Sequence, residues 1–99
     1  MKLGIDIDGV LCSEETYYDR YDAIPFVDNI AVINQLYDDS HTIILFSARG
    51  WNEYDMTLLW LKDHGVKFHQ LLCGKPIFDI FLDDRAVSTT QQLIEQVGE

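Results

Sequence analysis

Short apolar runs rich in β-branched residues alternate along the chain with segments whose apolar positions recur every three or four residues. Runs of the first kind predict strands, and segments of the second predict helices. Lys2 to Ile7 reads as a strand, and Asp28 to Tyr37 as a helix with Ile30, Ile33, Leu36 and Tyr37 on one face and Asp28 or Asn29 as its cap. His41 to Phe46 reads as a second strand. Asn52 to His64 follows as a second helix, apolar at Met56, Leu59 and Trp60, with Gly65 as its stop. Phe68 to Leu72 and Ile77 to Leu82 make a third and a fourth strand, and Ser88 caps a last helix that buries Leu93, Ile94 and Val97. This alternation predicts right-handed βαβ units, and so an α/β fold: a Rossmann-like, mostly parallel sheet with helices on both faces. The irregular stretch Ser13 to Val27 is polar and aromatic, with Pro25 near its end, and reads as a loop or flap over the sheet.

Ninety-nine residues with 47% apolar content fit one domain with one core. Seventeen acidic residues against seven Lys and Arg give a formal charge of −10, which repels polyanions and makes nucleic acid a poor partner. The longest apolar runs are too short to cross a bilayer, and Asp79 interrupts one of them. The start shows no export signal, so the cytoplasm is the expected compartment. Cys12 and Cys73 have no Cys or His at ligand spacing, which predicts two reduced, structural thiols.

The polar residues sharpen this picture because of where they stand. In an open parallel sheet, ligands bind at the carboxyl ends of the strands. Those exits carry Asp6-Ile7-Asp8-Gly9, Ser47-Ala48-Arg49-Gly50, Gly74-Lys75-Pro76 and Asp83-Asp84-Arg85. Clustered carboxylates repel one another unless a cation offsets them, and an all-oxygen ligand set favours Mg²⁺. Residues i and i+2 of a strand share a face, so Asp6 and Asp8 can reach one reacting centre. One carboxylate can attack while the other moves protons. Lys75 would offset phosphoryl charge, and Ser47 with the turn N–H groups of Ala48 and Arg49 would hold phosphoryl oxygens. Gly9 lets the chain turn sharply beside the ligand.

The order of these parts resembles the haloacid dehalogenase superfamily of phosphohydrolases. Asp6-Ile7-Asp8-Gly9-Val10 is similar to its first motif, Ser47-Ala48-Arg49 to the second, Lys75 to the third and Asp83-Asp84 to the fourth. The resemblance implies that Asp6 is a nucleophile forming an aspartyl-phosphate and that Asp8 is the general acid and then the base for water. It implies Mg²⁺ held by the Asp6 carboxylate, the Asp8 carbonyl and the Asp83–Asp84 pair, with Asp84 the favoured direct ligand. Ser47 would bind the phosphoryl group and Lys75 would steady it. The spacing leaves no room for the cap domains that relatives insert, so the chain looks capless. Shielding then falls to loops, with Tyr17, Tyr18, Arg20, Tyr21 and Trp51 as candidates, or to a neighbouring subunit of a homo-oligomer.

The run KPIFDIFLDDRA looks like that of the small capless phosphatases associated with capsular polysaccharide biosynthesis, which implies a small phosphorylated sugar or polyol as substrate. Two alternatives stand beside it. One is a nucleic-acid or nucleotide 3′-phosphatase, disfavoured by the net charge. The other is a receiver-like signalling module that takes a phosphoryl group once, disfavoured because no isolated Asp ends the second or third strand.

Overall fold

The computed structural model describes residues 1–98. Its elements are the strands β1 (Lys2–Asp6), β2 (Thr42–Phe46) and β3 (Gln70–Leu72), and the helices α1 (Val27–Asp38), α2 (Tyr54–Asp63) and α3 (Thr90–Val97). Two 3₁₀ turns, Tyr17–Asp22 and Trp51–Glu53, precede α1 and α2. All strands run parallel in the order β1-β2-β3, with Leu3 opposite Ile43, Ile5 opposite Leu45 and Leu45 opposite Leu71.

Burial follows the two-residue period of the strands. Leu3, Ile5, Ile43, Leu45 and Leu71 are buried, while Gly4, Ile44, Phe46 and Leu72 on the opposite face are half-buried or exposed. The order of the strands explains this. Successive right-handed crossovers that always step in the same direction deliver both helices to one face. Ile30, Ile33 and Leu36 of α1 and Trp60 and Leu61 of α2 therefore join the inward strand residues in one buried cluster. The expectation of helices on both faces is corrected accordingly. Gly4 is a consequence of the other face, since a Cβ there would come within 3.3 Å of the Phe46 ring.

The predicted helices form with small shifts. α1 spans its expected range, but neither Asp28 nor Asn29 caps it. Asn29 instead donates from Nδ2 to the Val10 carbonyl (2.8 Å) and accepts from the Thr90 hydroxyl (3.2 Å), tying the loop after β1 to the start of α3. In α2 the buried positions are Thr57, Trp60 and Leu61, and Leu59 is exposed. Gly65, in the left-handed region at φ +67°, ends that helix as expected. Thr89 rather than Ser88 caps α3, its hydroxyl accepting from the Gln92 N–H at 3.1 Å. α3 lies along α1, where Val32, Leu36 and Ile94 line a shallow groove, and none of its residues is fully buried.

The expected fourth strand is absent among the described residues. Ile77 to Leu82 pairs with nothing, and Ile80 and Leu82 are 88% and 99% exposed. β1 consequently has a partner on one side only.

Candidate functional site

β1 ends at Asp6, in register with Phe46 at the end of β2. Beyond it the chain turns tightly: the N–H groups of Val10 and Leu11 return to the Ile7 carbonyl, and the Gly9 N–H donates to the Cys12 carbonyl at 2.8 Å. Gly9 takes φ +82°, the left-handed conformation that glycine adopts without steric cost. This turn holds Asp6 and Asp8 at the mouth of a cleft of about 220 Å³. Glu14, Ala48, Lys75, Pro76, Ile77, Phe78 and Phe81 complete its lining.

Lys75 reaches the cleft from the far side of the sheet edge. Backbone bonds from the Gly74 N–H to the Arg49 carbonyl and from the Lys75 N–H to the Ser47 carbonyl, both 2.8 Å, zip this segment onto the exit of β2. The ammonium lies 3.4 Å from Asp6 Oδ2 and 4.3 Å above the centre of the Phe46 ring, which attracts a cation through its π face. The Asp6 Oδ1 atom accepts from the Ile7 N–H at 2.8 Å, so Oδ2 is the oxygen presented towards Lys75.

The Arg49 N–H, expected to hold a phosphoryl oxygen, donates instead to Ser47 Oγ at 3.1 Å, and its side chain turns inward. It is 1% exposed, with Nε donating to Asp8 Oδ2 (3.1 Å), Nη2 to Asp8 Oδ1 (2.9 Å) and Nη1 to the Thr57 hydroxyl (3.0 Å). Burial works against the guanidinium charge, but the Asp8 contact outweighs it and the pKa rises above the usual arginine value. The side chain is therefore not a phosphate ligand but a fork that fixes the Asp8 carboxylate. Oδ1 also takes the Cys12 thiol, whereas Oδ2 keeps a second lone pair on which a proton or a substrate bond can sit. Ser47 is also inward: it is fully buried and its Oγ accepts from the Arg49 N–H at 3.1 Å. Of the phosphate-binding set, Asp6, Ala48 and Lys75 line the cleft, and Gly9 turns the chain next to it.

The Asp83–Asp84 pair is not brought to this place. Asp84 and Arg85 are both over nine-tenths exposed, Asp83 accepts from the Arg85 N–H, and none of the three lines the cleft. Among the described residues no three His, Cys, Asp or Glu side chains converge as a metal would require. Asp6, Asp8 and Glu14 are the acids that line the cleft, and the Asp83–Asp84 pair expected to complete a Mg²⁺ site there is not among them.

Apart from Glu14, which lines the cleft, the flap is tied to the body of the protein. Its neck closes where the Ser13 N–H meets the Ile24 carbonyl and the Ile24 N–H meets Ser13 Oγ, both at 2.9 Å. Arg20 pairs with the buried Glu53 (2.5 Å to Oε1 and 2.7 Å to Oε2), and Glu53 also accepts from the Gly50 N–H. Tyr21 donates to Asp63 at 2.6 Å and Tyr18 is almost wholly exposed. Tyr17 meets Asn52, and Trp51 lies on Gly74, whose Cβ would stand 2.9 Å from the indole nitrogen. None of the five candidate shielding residues, four in the flap and Trp51 after β2, lines the cleft; Glu14, Phe78 and Phe81 do. Because Arg20 joins the flap to the body, Arg20→Ala is expected to speed chymotryptic cleavage at Tyr17, Tyr18 and Tyr21 several-fold, and to lower the melting midpoint as well, since it leaves the buried Glu53 carboxylate without its cation. Limited proteolysis beside a thermal melt measures both.

Cys12 is buried beneath Asp8, its sulfur 4.0 Å from Oδ1. Burial, reinforced by the Asp8 charge, pushes its thiol pKa up from 9.0 to about 11. A thiol whose pKa is higher in the folded state stabilises the fold fully below its unfolded value. That stability is lost as pH rises through the folded value. The urea midpoint is therefore expected to fall between pH 9 and 11, and less so in Cys12→Ala. An aromatic disulfide reagent should leave native Cys12 unmodified at pH 8.

No protein-family model matches the chain, and no curated protein matches it. Among solved structures, the chain is similar to an MCSG target from Vibrio cholerae, at 26% identity over 97% of this chain and 98% of that one, with a TM-score of 0.78. It is also similar to chains of the Pnkp1/Rnl/Hen1 complex, described in a second structure as an RNA repair complex. There identities are 18% and 17%, TM-scores 0.67 and 0.64, and 96% of this chain overlays 33% and 31% of the longer ones. These likenesses show that the small parallel α/β fold is one that other proteins share across its whole length.

Proposed function

We propose that the chain is a phosphomonoesterase of the haloacid dehalogenase type, using Asp6 as nucleophile on a small phosphorylated sugar or polyol. The observation that carries this is the pairing of Asp6 Oδ2 with the Lys75 ammonium at 3.4 Å in an open cleft, with Asp8 two residues on. A carboxylate can attack phosphorus only where the charge of the phosphoryl oxygens is offset, and Lys75 is placed to do that. Asp8, fixed by Arg49, is placed to protonate the leaving oxygen and then to take a proton from the attacking water. Mg²⁺ belongs to this reading as a required ion. Among the described residues no three acids converge to hold it, and Asp6, Asp8 and Lys75 carry the steps above.

The likeness to an RNA repair complex favours a second substrate class, a nucleotide or RNA 3′-phosphate. The charge of −10 and the acids around the cleft oppose long polyanions. Release of inorganic phosphate from p-nitrophenyl phosphate and from a panel of sugar, polyol and nucleotide phosphates, with Mg²⁺ and with chelator, tests both readings. Many turnovers per chain with Mg²⁺ are expected, with sugar or polyol phosphates preferred. A single turnover would instead mark a phosphoryl acceptor, and preference for a 3′-nucleotide would move the substrate class.

A further inference from the structure

We infer that Glu14 selects the leaving group of the substrate: its carboxylate accepts hydrogen bonds from hydroxyls close to the phosphoester and turns away leaving groups that carry a second phosphate. The inference rests on the phosphomonoesterase reading and narrows the substrate class within it.

Of the acids that line the cleft, Asp6 and Asp8 are already engaged by cations. Lys75 stands 3.4 Å from Asp6, and Arg49 forks Asp8. Glu14 differs, since among the described residues none donates to its carboxylate. Its neighbour Glu15 is satisfied within the flap, where it accepts from the Ser13 hydroxyl at 3.0 Å. A carboxylate that faces a cleft without a protein donor takes its hydrogen bonds from water, or from whatever displaces that water.

Glu14 is held in place from two sides. Its Oε1 lies 3.3 Å from where a Cβ on Gly9 would stand, so the carboxylate packs over the backbone of the residue that follows Asp8. The chain just before it is pinned at the neck of the flap, where Ser13 bonds twice to Ile24. The side chain thus projects into the cleft from a fixed point.

This position decides which part of a substrate meets it. The phosphoryl group belongs against Asp6 and Lys75, and the leaving oxygen takes its proton from Asp8. A carboxylate lying over Gly9 borders the path by which the leaving group departs. A hydroxyl on that path donates to Glu14 in place of water, at little net cost. A second phosphate on that path brings like charges together. Lys75 is the cationic side chain among the lining residues, and Asp6 and the reacting phosphoryl group already engage it. Selectivity needs a repulsive element beside an attractive one, and a single carboxylate supplies both.

Glu14→Gln and Glu14→Ala separate the two roles, because the amide keeps an accepting oxygen without the charge and alanine keeps neither. Phosphate release with Mg²⁺ is measured on a matched pair, glucose 6-phosphate and glucose 1,6-bisphosphate, and binding of the same pair by calorimetry in chelator. The wild type is expected to favour the monophosphate by about tenfold or more in kcat/KM, and added salt should narrow that ratio. Glu14→Gln should bring the ratio to about threefold or less by improving the bisphosphate, with KM for the monophosphate little changed. Glu14→Ala should in addition raise that KM several-fold at similar kcat. A ratio that Glu14→Gln leaves unchanged overturns the inference, as does a wild type that hydrolyses both compounds equally well. A wild type that releases phosphate from neither removes the phosphomonoesterase reading, and calorimetry then decides the selection by itself. Tighter binding of the monophosphate that vanishes in Glu14→Gln upholds it, and its absence overturns it.

Discussion

Asp6→Asn is expected to lower Mg²⁺-dependent hydrolysis of p-nitrophenyl phosphate by about a thousandfold or more, while the thermal midpoint moves by a few degrees at most. The two halves of this expectation come from different atoms. Oδ1 accepts the Ile7 N–H at 2.8 Å, a bond that the carbonyl oxygen of asparagine can keep. Oδ2 faces Lys75 at 3.4 Å, and both side chains are partly open to water, so losing that ion pair costs about 1 kcal/mol or less. What asparagine lacks is an anionic oxygen able to form a bond to phosphorus. Phosphate-release assays and a melting curve on the same preparation separate chemistry from folding. Retained turnover in a folded Asp6→Asn protein would remove Asp6 as nucleophile, and a collapse of the melting midpoint would show that the side chain is structural.

The parts of this molecule legible from the amino-acid pattern are those whose period and burial agree. β1, α1 and β2 were readable because Leu3, Ile5, Ile30, Ile33, Leu36, Ile43 and Leu45 recur at the spacing of the element that buries them. Asp6, Asp8 and Lys75 were readable as one site because strand exits converge in any parallel sheet. Two failures have a common cause in information that is not local. Ile77 to Leu82 has the apolar residues of a strand around Asp79, but among the described residues it pairs with no other strand. Arg49 next to Ser47 has the look of an anion binder, but its direction is set by Asp8, forty-one positions earlier, and by Thr57, one turn into the next helix. The flap failed for a similar reason. Arg20, Tyr21 and Trp51 look available to a ligand until Glu53, Asp63 and Gly74 are seen to occupy them.

Arg49 yields the largest expected effect on stability. Arg49→Met keeps much of the side-chain volume and removes the fork, leaving a largely buried Asp8 carboxylate without its cation. Breaking a pair in this way costs about 3 kcal/mol, towards the low end for buried ion pairs because Asp8 is 22% exposed. Urea unfolding should report that loss, and Asp8→Asn in the Arg49→Met background should recover part of it, since removing both charges leaves neither unpaired. Arg49→Lys discriminates between positioning and phosphate binding. An ammonium keeps the charge but cannot span both Asp8 oxygens and Thr57 at once, so stability should be partly retained while kcat falls with KM little changed. An arginine that held the phosphoryl group would show the reverse pattern, a raised KM and an unfolding curve close to wild type. The fork geometry requires the first pattern because both Asp8 oxygens are engaged by one planar group that is itself shut away from the cleft.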